Sequence, residues 1–470
     1  MLWRTMLFTP TRMVPPRRPD TFPFFSNGRK VVMAVKNSPR GIVTLLKPLG
    51  SAVEMNLAGA IRTRRQGYRG WAGAVNTDYD PLDPATAGQP HEAYRALHRS
   101  GRVHYNPKRA TWILSRLNDI RAALRDTDQV TSARGVTRVR MAADLLVLTD
   151  GDHHARLRKQ VQPGFTRGAL ENWQEITDQL AAELVSKVID EPGCDVVERL
   201  AIPMPMRLIA AILGVPDTDV ADFRRWSEDS VRIINFSPTL KGVVETATSM
   251  RAVLALRRYF LRHLATGELK DSDTMLGRLL EHNTEGNLND DQLFYVALLL
   301  LIAGNETTTN LLGGLFETLA HNPDQYDLIR ANPDLIPIAV EEQLRISSPI
   351  QNLYRYTRED YQVGEVTIPA GARVLLSFGA ANRDPLVFDD PDEYRADRNP
   401  RMHIGFGYGA HMCVGAPLAR MEAQAVLREL VDRVTGITAV GPTTWSTNSS
   451  LRGPTHLPIR LKKAAAVARN

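Results

Sequence analysis

A glycine-rich turn that carries a single cysteine constrains the fold of this chain most strongly. Cys413 is one of only two cysteines in 470 residues, and residues 406–415 around it read FGYGAHMCVG. Glycines permit tight turns and a close approach of the backbone to a flat ligand. An apolar helix is expected to begin near Ala416, and the free N–H groups of a helix start stabilise a thiolate and lower its pKa. The pattern indicates a thiolate metal ligand, and the alternative is a small buried apolar residue.

The same turn formally contains a dinucleotide-binding pattern. Residues 405–410 satisfy G-x-G-x-x-A, the fingerprint of a turn between a strand and a helix. The preceding residues 397–401, DRNPR, are charged and contain a proline, so they cannot form a buried strand. Since the fingerprint requires that strand, dinucleotide binding is disfavoured.

A second motif is a long apolar run, residues 293–303, followed by Gly-Asn-Glu-Thr-Thr at 304–308. Asn289, Asp290 and Asp291 provide a cap and first-turn acids, which predicts a helix. The run is shorter than the about 20 apolar residues that cross a bilayer, so a buried central helix is expected. A glycine inside a helix costs about 1 kcal/mol relative to alanine, and Gly304 therefore indicates a local opening of this helix.

Glu306 and Thr307 within this motif have two interpretations. Threonine hydroxyls in helices often donate to the carbonyl one turn earlier, and Glu306 would then be a solvated surface acid. An acid that follows a long apolar run must instead be paired, hydrated or shifted in pKa, and these are properties of a proton relay. In combination with the cysteine turn, the second interpretation is favoured.

These segments, in this order, resemble the cytochrome P450 family over residues 83 to 461. The resemblance implies that Cys413 is the axial ligand of a haem iron, that Phe406 packs beside the sulfur and that His411 lies near a haem propionate. It implies that the opening at Ala303 and Gly304 admits dioxygen. The implied haem contacts of the cysteine turn are Phe406, Gly407, His411, Cys413 and Gly415.

The resemblance also assigns roles to the acid and threonine of the central helix. Thr307 would donate a hydrogen bond to dioxygen on the iron, and Glu306 would relay protons from solvent. Glu342 and Arg345, three residues apart, resemble the structural Glu-x-x-Arg pair of the family, which locks its helix to the segment before the cysteine turn. Taken alone the pair is a weak signal, because such neighbours contribute only about 0.2–0.5 kcal/mol on an exposed helix.

Basic residues at four places match the family's partners for the two haem propionates. His154 and Arg158 are four residues apart and share a helix face. Arg355 enters a predicted strand, and His403 lies just before the cysteine turn. The alternative is a solvated surface charge for each arginine, and for His403 a structural histidine with satisfied hydrogen bonds.

Length alone suggests two or three domains, whereas the resemblance implies one large, mainly α domain with a small β region, the cytochrome P450 fold. The hydrophobic fraction of 43% is compatible with one large core. Residues 176–185 have helical spacing, and residues 111–115 and 365–368 are predicted as short strands.

Positive charge is concentrated at the N-terminus. Residues 1–76 carry 13 Lys and Arg against 2 Asp and Glu, a net +11, while the remainder carries 45 against 50, a net −5. No recognition motif accompanies this charge, so nucleic acid is not expected as a partner. We interpret 1–76 as a basic, flexible extension and 77–470 as the haem domain; a genuine arm and a misassigned start site are both open. The best apolar stretch, 41–61, is interrupted by charges, so no transmembrane segment is predicted.

Redox partners are expected to be separate proteins. With Cys413 on the iron, Cys194 is alone, and an iron–sulfur domain needs about four thiolates. The resemblance therefore implies a ferredoxin and an NAD(P)H-dependent ferredoxin reductase, docking near His411 and the region of Arg156, Lys159 and Arg167. Two cysteines form no disulfide framework, which suits a reducing cytoplasm, and a monomer is expected.

The resemblance implies a bacterial-type haem-thiolate monooxygenase with haem b (iron protoporphyrin IX). It would use O2 to hydroxylate or epoxidise a lipophilic small molecule. A peroxide-driven oxygenase or haem isomerase, and a non-catalytic haem sensor, are alternatives that the Glu306–Thr307 pair disfavours. The segments that line the family's pocket carry apolar residues that are equally compatible with an ordinary core: Leu298, Leu301, Ala303, Ile350, Leu353 and Leu451.

Overall fold

The structure is a computed structural model that describes residues 73–137, 145–191, 193–231, 240–266, 274–275, 277 and 290–464. Within these ranges the α-helices are α1 (Pro84–Gly88), α2 (His91–Ser100), α3 (Leu117–Arg125), α4 (Gly151–Val161), α5 (Arg167–Asp190), α6 (Pro203–Leu213), α7 (Val220–Val231), α8 (Leu240–Thr266), α9 (Asp290–His321), α10 (Pro323–Ala331), α11 (Ile336–Ser347), α12 (Phe378–Ala381) and α13 (Ala416–Arg433). The predicted helical segment 176–185 lies inside α5.

The strands of the described residues are short. They are β1 (Val75–Asn76), β2 (Val103–Asn106), β3 (Thr111–Leu114), β4 (Val130–Thr131), β5 (Cys194–Asp195), β6 (Asn352–Thr357), β7 (Tyr361–Val363), β8 (Val366–Ile368), β9 (Arg373–Ser377), β10 (Val434–Ala439), β11 (Thr444–Trp445), β12 (Pro454–His456) and β13 (Pro458–Lys463). Strands β3 and β8 fall in the two predicted strand segments. The expected mainly α architecture with a small β region is confirmed.

Helix α9 is the central helix of the molecule. It begins at Asp290, in the predicted cap, and its apolar side chains lie in the largest hydrophobic cluster, where Leu301, Leu312 and Leu315 are fully buried. It packs against α6, α11 and α13. Among the described residues, Gln292–His321 alone is long and apolar enough to cross a membrane, but 61% of its most apolar window is buried inside the protein. A mostly buried core helix of a soluble protein has the same length and composition.

The largest sheet has six strands in the order β1-β2-β3-β9-β6-β4. Strands β3 and β9 are parallel, while β6 runs antiparallel to β9 with Arg355 opposite Val374. Strand β3 is buried along its whole length, which fits its apolar sequence Thr-Trp-Ile-Leu. This sheet therefore fixes the position of Arg355 inside the protein.

The N-terminal extension is described only at its end. Val75 and Asn76 form β1, which pairs in parallel with His104 and Tyr105 of β2. Residues 1–72 lie outside the described residues, so the predicted extension and its boundary at residue 76 remain predictions.

Candidate metal centre around Cys413

The cysteine turn adopts its shape because of two glycines. Gly407 and Gly409 have φ angles of 74° and 70°, in the left-handed region that side chains rarely adopt. A Cβ on Gly409 would also lie 2.8 Å from the carbonyl oxygen of Leu124 in α3. The turn closes with a hydrogen bond of 2.8 Å that the N–H of Cys413 donates to the carbonyl of Phe406. Helix α13 begins three residues after the cysteine.

The Cys413 sulfur is held at the start of α13. Backbone N–H groups of Gly415 and Ala416 donate to it, and the charges of Arg158 and Arg420 favour the thiolate. Burial outweighs these contributions and raises the pKa of the thiol, although the helix start was expected to lower it. The side chain is nevertheless accessible to solvent. Because the Cys413 side chain is accessible to solvent and yet surrounded by protein, it lines an internal recess. A metal cation in this recess would deprotonate the thiol.

Aromatic and aliphatic groups surround the cysteine turn on its inner side. The guanidinium of Arg420 lies 4.5 Å from the centre of the Phe406 ring, which packs against the largest hydrophobic cluster. A Cβ on Gly415 would lie 3.9 Å from the Cys413 sulfur and 3.7 Å from the Phe165 ring. Gly415 therefore leaves the approach to the sulfur free of a side chain.

Two histidines predicted as propionate partners lie against each other. The ring centres of His154 in α4 and His411 are 4.2 Å apart, and His411 Nε2 lies 3.0 Å from Asp150 Oδ1. His154 Nε2 is buried and has no hydrogen-bond partner among the described residues. Burial, and then the charges of His411 and Arg158, lower the pKa of His154 to about 4, so it is an uncharged donor at neutral pH. The sequence had predicted a cation.

The two predicted arginines lie near the same cluster. Arg158 Nη1 donates to the carbonyl of Ala410 at 3.1 Å, which ties α4 to the cysteine turn. Arg355 is only 3% exposed and donates to the carbonyl of Tyr354. Burial lowers the pKa of Arg355 to about 10, and the charge of Asp150 partly offsets this effect. Arg355 therefore remains a cation at neutral pH.

Asp150 joins these segments, and the sequence analysis did not identify it. Burial would raise the pKa of this carboxyl, but hydrogen bonds from His411, Thr131 and Ser132 together outweigh burial and lower it. Asp150 is also the N-cap residue of α4. Its position directly before a predicted helix was a signal for a cap, but nothing in the sequence indicated its contact with His411.

His403 has other partners. Its Nε2 lies 2.9 Å from Glu341 Oε2 in α11, and its Nδ1 accepts the N–H of Gly405 at 3.2 Å. Glu341 also accepts from Arg420 Nη2 at 2.9 Å. Both ring nitrogens of His403 therefore have hydrogen-bond partners within the protein. Its predicted contact with a propionate would require that one of these partners be replaced by the propionate.

The distal part of the site lies on α9. Ala303 is exposed and Gly304 half-buried, and the backbone of α9 is helical without interruption through both residues, so the predicted local opening is not present as a break in the helix. Thr307 Oγ1 donates to the carbonyl of Ala303 at 2.6 Å, the bond expected of an ordinary helical threonine. Thr308 and Thr309 are buried. The predicted contact of Thr307 with dioxygen remains a prediction.

Glu306 is an unusual acid in this structure. Its Oε2 is buried and has no hydrogen-bond partner among the described residues. Burial, reinforced by the charge of Glu228, raises the pKa of Glu306 to about 7. A carboxyl with this pKa exchanges its proton readily at neutral pH, which suits a proton relay and does not suit a solvated surface acid.

Glu342 and Arg345 form a buried ion pair in α11. Both side chains are 0% exposed, and two bonds of 2.7 and 2.8 Å join them. The same guanidinium donates to the carbonyls of Asn382, Pro391 and Glu393, in the segment before the cysteine turn. The pair therefore fixes α11 against that segment.

The residues expected along a substrate pocket are in different environments. Leu301 is fully buried in the largest cluster, and Leu298 is almost so. Ile350 forms an isolated β-bridge with Leu451 and is partly buried, as is Leu353. Leu301 is thus a core residue, whereas Ile350 and Leu353 remain accessible.

The site is a recess that carries the Cys413 thiol, with a charged cluster at one side, and α9 carries an acid–threonine pair. These are the parts of a haem-thiolate oxygenase. A family model for "Cytochrome P450" matches residues 84–436. The chain belongs to the cytochrome P450 family and is a monooxygenase of that family.

Named relatives and solved structures agree with this assignment. The chain is 45% identical to the beta-dihydromenaquinone-9 omega-hydroxylase of Mycobacterium tuberculosis over 441 residues, 94% of this chain and 90% of the relative. It is 35% identical to the 6-deoxyerythronolide B hydroxylase of Saccharopolyspora erythraea over 67% of this chain and 77% of that one. The structure of cytochrome P450 CYP109Q5 from Chondromyces apiculatus matches with a TM-score of 0.73 at 30% identity, covering 84% of this chain and all of that one.

The residues present fit a haem. Cys413 supplies an accessible sulfur, the glycines of the turn admit a flat ligand, and the unpartnered Nε2 of His154 and the buried Arg355 suit the ring's carboxylates. No group of three or more His, Cys, Asp or Glu in the described ranges could hold a metal ion.

Proposed function

We propose that the protein holds haem b at Cys413 and uses O2 to hydroxylate or epoxidise a lipophilic small molecule. Its electrons would come from a ferredoxin and the NAD(P)H-dependent ferredoxin reductase. The observation that carries the proposal is the buried, unpartnered Glu306 next to Thr307, in a member of the cytochrome P450 family. An acid poised near neutral pH serves a reaction that consumes protons, and O2 reduction consumes them.

The chain's own residues would hold the cofactor from several elements. Cys413 would bind the iron. Arg158, Arg355 and His411 would donate hydrogen bonds or supply positive charge to the haem propionates, and His154 would donate a hydrogen bond from a neutral N–H. His403 would join them after exchanging a partner. When bound, the haem supplies the redox chemistry, and its thiolate ligand favours O–O cleavage.

Proton delivery would run through α9. Glu306 would pass a proton from Oε2 towards Thr307 Oγ1, and this hydroxyl, now bonded to the Ala303 carbonyl at 2.6 Å, would rotate to donate its own proton into the recess. The loss of a weak backbone bond is a small cost, because such back-bonding contributes little to a helix. The exposure of Ala303 and the absence of a side chain at Gly304 would leave the hydroxyl room to turn.

The 45% identical relative favours a particular substrate class. Its name describes hydroxylation at the end of a dihydromenaquinone side chain, and the match extends over 94% of this chain. A solved neighbour, CYP109E1 of Bacillus megaterium, is in complex with corticosterone, an apolar ligand. We therefore propose a long-chain isoprenoid quinone as substrate, with the accessible Ile350 and Leu353 contacting its apolar tail.

The location and assembly of the protein follow from the same proposal. A monomer in the cytoplasm suits a chain whose one membrane-length helix, among the described residues, is mostly buried. Cys194 is partly buried at the edge of the largest cluster, and its pairing in β5 agrees with a reduced structural thiol.

The first test is the absorption spectrum of the dithionite-reduced protein with carbon monoxide. A strongly red-shifted Soret band is expected for thiolate ligation, and it should be lost in Cys413→Ser but kept in Cys194→Ser. Product formation from dihydromenaquinone-9 should then require ferredoxin, its reductase, NAD(P)H and O2 together. Turnover with hydrogen peroxide alone would favour the peroxide-driven alternative, and no turnover under either condition would favour a haem sensor.

A further inference from the structure

A second carboxyl group, that of Glu228 on helix α7, acts electrostatically on Glu306. Asn305 Nδ2 donates to Ser227 Oγ at 3.4 Å, and both groups are buried. This contact aligns the pair Ser227-Glu228 of α7 with the pair Asn305-Glu306 of α9. Among the described residues, Glu228 is the charged side chain whose field acts on Glu306. Glu228 and Glu306 are therefore each the next residue along the chain from one partner of this hydrogen bond, which joins α7 to α9.

Glu228 connects this contact to the solvent. Its side chain is 46% exposed, and its Oε1 accepts from Arg224 Nε at 2.7 Å. Arg224 Nη2 in turn bonds both oxygens of Glu198, at 3.0 and 2.9 Å. Arg224 thus holds Glu228 at the protein surface, where its carboxyl group is accessible to water.

We propose that Glu228 is the outer group of the proton path, passing protons from bulk water to Glu306. The inference rests on the proposed oxygenase function and adds a residue to it. A buried acid that gives up a proton in every cycle must be reprotonated. Glu228 is the accessible acid beside Glu306, whereas Glu306 itself has a buried, unpartnered oxygen.

The transfer balances as a simple relay. A hydronium ion at the surface gives its proton to the Glu228 carboxylate and leaves water. The O–H bond of Glu228 then breaks as an O–H bond to Glu306 forms, directly or through one water. Glu306 next releases its proton towards Thr307 Oγ1, and Glu228 returns to the carboxylate. Because burial raises the pKa of Glu306 to about 7, this carboxyl can both accept and release a proton at neutral pH.

The test compares Glu228→Gln with Asp222→Asn. Both substitutions remove one negative charge from α7, but Asp222 pairs with Arg225 on the surface and does not act on Glu306. In the ferric holoenzyme, infrared pH titration of the carboxylic C=O stretch, assigned by its loss in Glu306→Gln, reports the protonation of Glu306. Glu306 is expected to ionise at lower pH in Glu228→Gln and at an unchanged pH in Asp222→Asn.

The second readout is proton transfer during turnover. With ferredoxin, its reductase, NADPH and dihydromenaquinone-9, Glu228→Gln should show a larger rate decrease in D2O and should divert at least about threefold more electrons to hydrogen peroxide, since positioned acid–base groups contribute about 10²–10⁴-fold. Asp222→Asn should match the wild type in both measurements.

Two results would overturn the proposal. If Glu306 titrates identically in Glu228→Gln and the wild type, the two carboxyls are not coupled. If the titration shifts but the D2O effect and peroxide yield do not, Glu228 tunes the charge of Glu306 without carrying its protons. Failure of the proposed function would be recognised separately, because the wild-type protein would then consume no O2 with ferredoxin. The infrared titration tests the coupling of the two carboxyl groups in either case, since it needs no turnover.

Discussion

At the scale of single residues, the environment of each site side chain differs from what its residue type suggests. Cys413 is more weakly acidic than a cysteine at a helix start usually is, because burial outweighs the N–H groups of Gly415 and Ala416. His154 is neutral because burial and neighbouring cations disfavour its charged form. Glu306 keeps its proton up to about pH 7. In each case burial is the largest contribution, and burial depends on distant parts of the chain.

Glu306 should make stability depend on pH in a defined direction. Its pKa is raised from 4.5 to about 7, so below pH 4.5 it is protonated in both the folded and unfolded states and has no differential effect. Between pH 4.5 and 7 the unfolded chain loses this proton while the folded protein keeps it, so the folded state loses on the order of 3 kcal/mol of stability by about pH 7. Relative to Glu306→Gln, the wild type should lose stability between pH 4.5 and 8. Denaturant unfolding at several pH values measures this; parallel curves for the two proteins would contradict it.

Thr307 should be needed for efficient use of electrons. In Thr307→Ala the hydroxyl that receives the proton is missing, so product per NADPH should fall by at least about tenfold while hydrogen peroxide increases. Thr307→Ser should retain most coupling. Thr248→Ala is the matched control, because it removes the same kind of helical back-bond, from Thr248 Oγ1 to the Val244 carbonyl, on α8. Full coupling in Thr307→Ala would show that protons reach the site by another route.

At the scale of elements, α11 positions the segment that leads into the cysteine turn. Arg345 binds Glu342 and three carbonyl oxygens of that segment, with both charged groups fully buried. An isolated pair on a surface would contribute little, but a buried pair cannot lose one partner without leaving an uncompensated charge. The geometry of the metal centre therefore depends on an ion pair outside it.

Arg345→Lys should destabilise the protein strongly. A lysine keeps the charge but cannot make the forked contact with Glu342 together with the carbonyl bonds, so a loss of about 3–5 kcal/mol is expected, accompanied by loss of haem. Arg225→Lys, which alters an exposed pair with Asp222, should change stability by less than about 0.5 kcal/mol. Denaturant unfolding and the haem-to-protein absorbance ratio measure both effects. Equal stability of the two variants would show that the contacts of Arg345 are dispensable.

At the scale of the whole molecule, charge is distributed unevenly. Arg156 and Lys159 are exposed on α4, which Arg158 joins to the cysteine turn, so the surface next to the metal centre is basic.

The basic residues 1–76 are a separate feature. Because the 45% identical relative matches 94% of this chain, its match includes part of these residues, and the relative shares part of the extension.

Lys159→Glu should weaken ferredoxin-supported turnover. Reversal of a charge at an acidic partner's docking surface slows association, and salt screens the effect because the Debye length is about 8 Å at physiological ionic strength. The apparent KM for ferredoxin should rise severalfold at low salt, and the difference from the wild type should shrink at high salt. Lys108→Glu, on the exposed turn between β2 and β3, is the control. Rates that are independent of both substitution and salt would place the docking surface elsewhere.

Local patterns predicted the elements of the fold well but not the contacts between them. The cap before α9, strand β3 and the face shared by Glu342 and Arg345 follow from short-range spacing, which a sequence displays directly. Three long-range interactions were not predicted: the hydrogen bond between Asp150 and His411, the one between Glu341 and His403, and the electrostatic effect of Glu228 on Glu306. Each of these joins residues more than 60 positions apart, and the sequence carried no signal of their proximity.

The family, the mainly α architecture and the cysteine available to a metal could be inferred from the amino-acid sequence, because glycine conformation, helix periodicity and the scarcity of cysteine are local properties. The protonation of the site depends instead on the packing of the folded chain. Whether Glu306 holds a proton, His154 is neutral or Arg345 is fully buried depends on which groups surround it and how much water they exclude. Burial and nearby charge act through space, so the packed molecule sets them.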